Sequence, residues 1–138
     1  MKKYWLSVLC ILVVSCVLNY VVHCILLTQA YADTASLWRT TADMNLWLIH
    51  APTLISSLCF VWIYHRFIGN KSMNNAIYYG GIWGIAAGSA MGIGSFAVMP
   101  IPGTLAGYWF IAALAQWLIA GCLLGCVYHY RSTHEDVI

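Results

Sequence analysis

Charge is what this 138-residue chain lacks most. Asp, Glu, Lys and Arg together make up 7% of it, against 62% hydrophobic residues. A water-soluble domain of this length needs far more charge on its surface, so the composition excludes that class and points to an integral membrane protein. Six Lys and Arg against four Asp and Glu leave a net charge of +2, too little basic surface for nucleic acid. No Asp or Glu falls inside any of the long apolar runs. A proton-coupled exporter exchanges protons and cations on such a group, so that class is excluded as well. A Ser/His/Asp set, paired carboxylates and a phosphate-cradling loop are all missing, which leaves hydrolytic or transfer chemistry without visible machinery and leans away from an enzyme.

What is present is apolar sequence in four runs, about 4–28, 46–67, 76–98 and 104–130. Each exceeds the roughly 20 residues needed to cross the hydrocarbon, where the backbone must satisfy its own hydrogen bonds as a helix. The expected fold is all-α: a single domain over 1–138, with four transmembrane helices. The short connections "IGNKSMNN" and "MPIPGT" make consecutive helices antiparallel neighbours, which predicts an up-down-up-down bundle. Thr104 is placed to cap the fourth helix, and Thr34 or Asp33 a short helix in the long loop, with Arg39 and Asp43 as i,i+4 partners.

Lys2, Lys3, Arg66, Lys71 and Arg131 flank one side of the spans, whereas the 28–45 loop holds Arg39 beside Asp33 and Asp43. The positive-inside rule puts both termini in the cytoplasm. Trp5, Trp38, Trp47, Trp62 and Trp109 cluster near span ends, as interfacial anchors do. "KK" and Ala30-Tyr31-Ala32 resemble parts of a secretory signal, but the first apolar run is too long for one and carries Asn19 and His23, so it is read as a retained span.

The third span repeats glycine every fourth residue at Gly80, Gly84, Gly88 and Gly92, and Gly121 and Gly125 repeat the spacing in the fourth. In lipid, small residues of this GxxxG type let two backbones approach closely. The glycines are read as a packing or docking face, toward the fourth helix or another subunit. The alternative is a smooth wall along which a lipid, quinone or neutral solute passes.

Ser15, Asn19 and His23 form one polar stripe on the first helix; His50, Thr53 and Ser57 form another on the second. His23 and His50 lie at matched depth, about 6–8 Å below the outer boundary. If the stripes face each other, the two imidazoles could share a haem b iron or a metal ion. The plainer reading is hydrogen bonding across helices, as for Asn19, Ser57, Ser89 and Gln116. Six cysteines without a CxxC read as small apolar fillers, with a Cu(I) cradle of Cys10, Cys122 and Cys126 as the alternative.

The segment "HCILLTQAYADTASLWR" resembles one in small bacterial four-helix inner-membrane proteins without an assigned activity. Those chains place a histidine near the end of the first helix, then "LL", a tyrosine and "LWR". They also have a glycine-rich third helix and a "WF" opening the fourth, as Trp109-Phe110 does here. A glutamate often follows the arginine there, where this chain has "RTTADM". The resemblance implies a bacterial inner membrane and raises interest in His23, Tyr31, Trp38 and Arg39 as one unit at the outer surface. The expected function is a non-enzymatic accessory, structural or assembly subunit, docking through its glycine face on its own copy or on other membrane-protein subunits in the lipid bilayer. A redox protein using His23 and His50, and an oligomeric channel or carrier for a neutral solute, are the alternatives.

Overall fold

The computed structural model describes residues 1–130, and these are all-helical, with no strand among them. We number the helices α1 (Lys2–Leu26), α2 (Thr28–Asp33), α3 (Leu46–Phe67), α4 (Met73–Val98) and α5 (Gly103–Tyr130). All but α2 are long and apolar enough to cross a membrane. Arg131 lies outside the described residues.

Local chemistry accounts for the boundaries. Asn45 Oδ1 accepts from the N–H groups of Trp47 and Leu48, at 3.0 and 3.3 Å, and starts α3 at Leu46. Ser72 Oγ accepts from Asn75 N–H at 3.2 Å, so α4 begins at Met73, three residues ahead of the apolar run expected from Ala76. At the far end α5 begins at Gly103, which puts Thr104 inside the first turn and not at the cap.

Two wide turns interrupt the α geometry, at Val21–Leu26 in α1 and Ser89–Gly94 in α4. In the first, Leu27 N–H reaches back five residues to the Val22 carbonyl at 2.9 Å. The second bears on the glycine row. Residues four apart on an α-helix advance by about 40° around it, so a straight row from Gly80 would swing off the contact face by Gly92. The i→i+5 turn winds more slowly and brings Gly92 back, buried like Gly80, Gly84 and Gly88.

The helices meet by two kinds of packing. Between α4 and α5 the backbones nearly touch. A Cβ added at Gly80 would collide with the Trp117 carbonyl, and one at Gly121 would lie 2.5 Å from the Ala76 carbonyl. Gly84 faces Leu114, Gly88 faces Phe110 and Gly92 faces the Ala106 carbonyl, so the two helices run antiparallel. Helix α3 instead stands off behind large side chains. The Phe60 ring, fully buried, stacks on Tyr79 at 4.5 Å and touches Trp117 at 4.8 Å and Trp83 at 5.6 Å. Tyr79 Oη also donates to the Phe60 carbonyl at 2.9 Å. Tyr64, Leu124, Ile11 and Val61 complete this core, which occupies the half of the bundle near the N-terminus and the α3–α4 turn.

The opposite half, toward the 28–45 loop, is built differently. A smaller cluster of Leu27, Ile101, Leu105, Ala106 and Trp109 lies under the loop, with Leu37 and Trp38 packed on it. Helix α3 does not join it: Leu46, Trp47, Leu48, Ile49, Leu54 and Ile55 are all exposed, Trp47 to 86%. Four of the cysteines also face outward, Cys24, Cys59, Cys122 and Cys126, which corrects their reading as core fillers. The Cu(I) cradle does not form, since no three His, Cys, Asp or Glu side chains converge among the described residues.

Candidate functional site

Tyr31 makes the hydrogen bonds that join the loop to the bundle. Helix α2 is a single tight turn and a half, and it carries Tyr31 back over the end of α1. There Tyr31 Oη lies 2.6 Å from His23 Nδ1 and accepts from Trp109 Nε1 at 2.8 Å. Tyr31 thus ties the loop to α1 and to α5 at once. An indole N–H can only donate. Tyr31 therefore accepts from Trp109, and the direction of its bond with His23 Nδ1 follows the imidazole tautomer. Partial burial pushes the Tyr31 phenol above its usual 10; the Trp109 hydrogen bond opposes the rise and nearby Cys24 adds to it.

Aromatic packing closes the cluster. Trp38 meets Tyr31 edge-on at 5.5 Å and Trp109 at 6.0 Å. Its indole nitrogen donates to Thr34 Oγ1 at 2.9 Å, while the Thr34 hydroxyl turns back to the Ala30 carbonyl at 2.7 Å. Thr34 therefore ends α2 and holds Trp38; it does not cap a following helix. Of the unit expected at the outer surface, His23, Tyr31 and Trp38 come together, and Arg39 is exposed beside them. The anticipated Arg39–Asp43 pair is replaced by Thr40 Oγ1 donating to Asp43 Oδ2 at 2.6 Å. Trp38 and Thr40 are extended, so positions 39 and 43 do not share a helix.

The two polar stripes do meet, one turn deeper, where Asn19 Nδ2 donates to Thr53 Oγ1 at 3.3 Å. Ser57 below them is buried and donates to the Thr53 carbonyl at 2.7 Å. The two histidines take different surroundings. His23 is half-buried with Nδ1 engaged by Tyr31, and His50 is exposed on the unpartnered half of α3.

The six glycines singled out in the sequence all lie on the α4–α5 contact, Gly125 against Met73 and Ala76. Their face is filled by the chain's own helix, so it is closed both to another subunit and to a solute moving along it. Trp109 belongs to the site and was read from the sequence only as an interfacial anchor. Its contact with Tyr31 spans 78 residues, and no local pattern announces it. No family model, curated protein or solved structure matches the chain.

Proposed function

We propose that this protein is a small non-enzymatic membrane subunit, an accessory or assembly factor of a larger complex in a bacterial inner membrane. Its helices run up-down-up-down, with both termini cytoplasmic. The four cations at one end, Lys2, Lys3, Arg66 and Lys71, against the single Arg39 in the loop at the other, support that orientation.

One observation carries the reading. The close-packing glycine face is spent inside the chain, whereas the loop half of α3 is left without a neighbour on most of its circumference. That half leaves Leu46, Leu48, Ile49, Leu54 and Ile55 exposed around the helix, with Leu48 and Ile55 on one face. The occupant is a transmembrane helix of another subunit, since apolar side chains here lie within the span.

A photoreactive residue in place of Ile55 tests it in intact membranes. The expected result is one discrete protein adduct from Ile55 and from Leu48, and none from the equally exposed Ile82 on α4. The adduct should disappear when neighbouring Trp47 and Leu54 are truncated to alanine. Equal labelling from all three positions, or none, would contradict the proposal. The haem or metal reading has less support, with His23 occupied by Tyr31 and His50 turned outward. A conduit along the glycines is opposed by the helix that fills them.

A further inference from the structure

The end of the bundle opposite the loop gathers positive charge from three places. Tyr4 and His65 pack with ring centroids 5.9 Å apart, and Tyr4 Oη reaches the Leu58 carbonyl at 3.5 Å, which sets the start of α1 against the end of α3. Lys2 and Lys3 on one helix and Arg66 on the other therefore share this end. Lys71, in the α3–α4 turn, is half-buried and donates to the Ile68 carbonyl at 2.8 Å, a neutral partner that leaves its charge uncompensated by that bond. Lys2 and Arg66 are exposed.

Around these cations sits apolar and aromatic surface. Trp5, Trp62 and Phe67 are exposed, with Trp62 packed edge-on against Phe67 at 5.3 Å. A ligand suited to this surface carries a phosphodiester negative charge and two or more hydrocarbon chains. We propose that this end of the bundle preferentially binds an anionic glycerophospholipid. The phosphate lies among Lys3, Arg66 and Lys71, and the chains run along the outward faces of α1 and α3, over Trp5, Leu9 and Trp62. A zwitterionic lipid offers the same chains and a phosphate, but its own cation meets the lysines. The proposal is independent of the partner-docking reading and of membrane orientation.

Each Lys or Arg near an anionic surface favours binding by about fivefold at physiological ionic strength. Native mass spectrometry of the detergent-purified full chain, offered equal phosphatidylglycerol and phosphatidylcholine, reads this directly. The wild type should retain phosphatidylglycerol at least tenfold over phosphatidylcholine, with the preference shrinking at high salt. Combining Lys3→Gln, Arg66→Gln and Lys71→Gln should abolish the preference, whereas Arg39→Gln at the other end should leave it intact. Detergent sizing identical to wild type shows that the triple variant is folded. If it is not, the single Arg66→Gln, expected to lose about fivefold, gives the test. Equal retention of the two lipids by wild type overturns the proposal, as does a preference that survives the triple variant. Inorganic phosphate at matched ionic strength should not displace the lipid; displacement would show a site for the free anion. A polyglutamate peptide that displaced phosphatidylglycerol would assign the surface to an acidic protein segment and overturn the lipid assignment.

Discussion

Two glycines of the same helix, Gly121 and Gly107, should respond oppositely to the same methyl group. At Gly121 an added Cβ lies 2.5 Å from the Ala76 carbonyl oxygen and 3.2 Å from Gly80 Cα, both backbone atoms that no rotamer change can move. Reaching ordinary contact, near 3.4 Å, requires α4 and α5 to separate by about 0.9 Å there. Overpacking of this kind costs about 1–3 kcal/mol. At Gly107 nothing lies within 4 Å of the added carbon. Replacing a helical glycine by alanine gains up to about 1 kcal/mol of helix propensity, and this gain is common to both sites. Gly107→Ala should therefore be neutral or slightly stabilising, and Gly121→Ala should fall about 1–3 kcal/mol below it. Reversible unfolding in mixed micelles, followed by tryptophan fluorescence, measures the difference. Equal stability of the two variants would refute the claim that α4 and α5 meet backbone to backbone.

Tyr31→Phe removes two cross-element hydrogen bonds and leaves His23 and Trp109 without their partner, a cost of about 1–3 kcal/mol. Hydrogen exchange should rise across the 28–38 segment and stay unchanged in the α4–α5 contact. The phenol of Tyr31 is raised above 10 in the folded protein, so its contribution is fully present below pH 10 and is lost as pH climbs through the raised value. The protection of the loop amides, taken relative to the intrinsic base-catalysed rate, should accordingly fall at high pH, and Tyr31→Phe should abolish that fall. Asn19→Leu deletes the link to Thr53 and should cost about 0.6 kcal/mol, up to roughly 1.7, in the same micelle assay. Phe60→Ala empties the centre of the aromatic core and should cost about 3–5 kcal/mol, the largest loss of any single truncation in α3.

How much of this was legible in the sequence depends on the range of the interaction. The helix over 46–67 is bounded as expected, because the apolar run and the Asn45 cap coincide. The start of α4 is not, because Ser72 recruits Met73, Asn74 and Asn75 into the helix ahead of the apolar run. The glycine spacing pointed to a close contact, and only the placement of α5 identifies the contacting helix as the chain's own. Neither wide turn has a local signature, although the one at Ser89–Gly94 is what keeps Gly92 aligned. The aromatic residues were read as interfacial anchors, which suits Trp5, Trp47 and Trp62, all exposed. Trp109, read the same way, is buried, and its role comes from a partner 78 residues away. Tyr31 and Trp38 lie beside His23 because α2 folds back over the end of α1, whereas Arg39 is exposed.

The account rests on the glycine face being closed within one chain, which leaves α3 as the surface we propose for a partner. Gly81 and Leu118 test this in a cysteine-free background, because a Cβ at Gly81 would sit 3.5 Å from Leu118 Cδ2, which puts the two positions within reach of a short bifunctional thiol reagent. Joint Gly81→Cys and Leu118→Cys substitution, followed by such a reagent in membranes, should give a crosslink within a single chain. On a denaturing gel the protein should stay at monomer mass with both thiols consumed. Crosslinking to a species of twice that mass, with each single variant also dimerising, would show that the face joins two chains and would contradict the account.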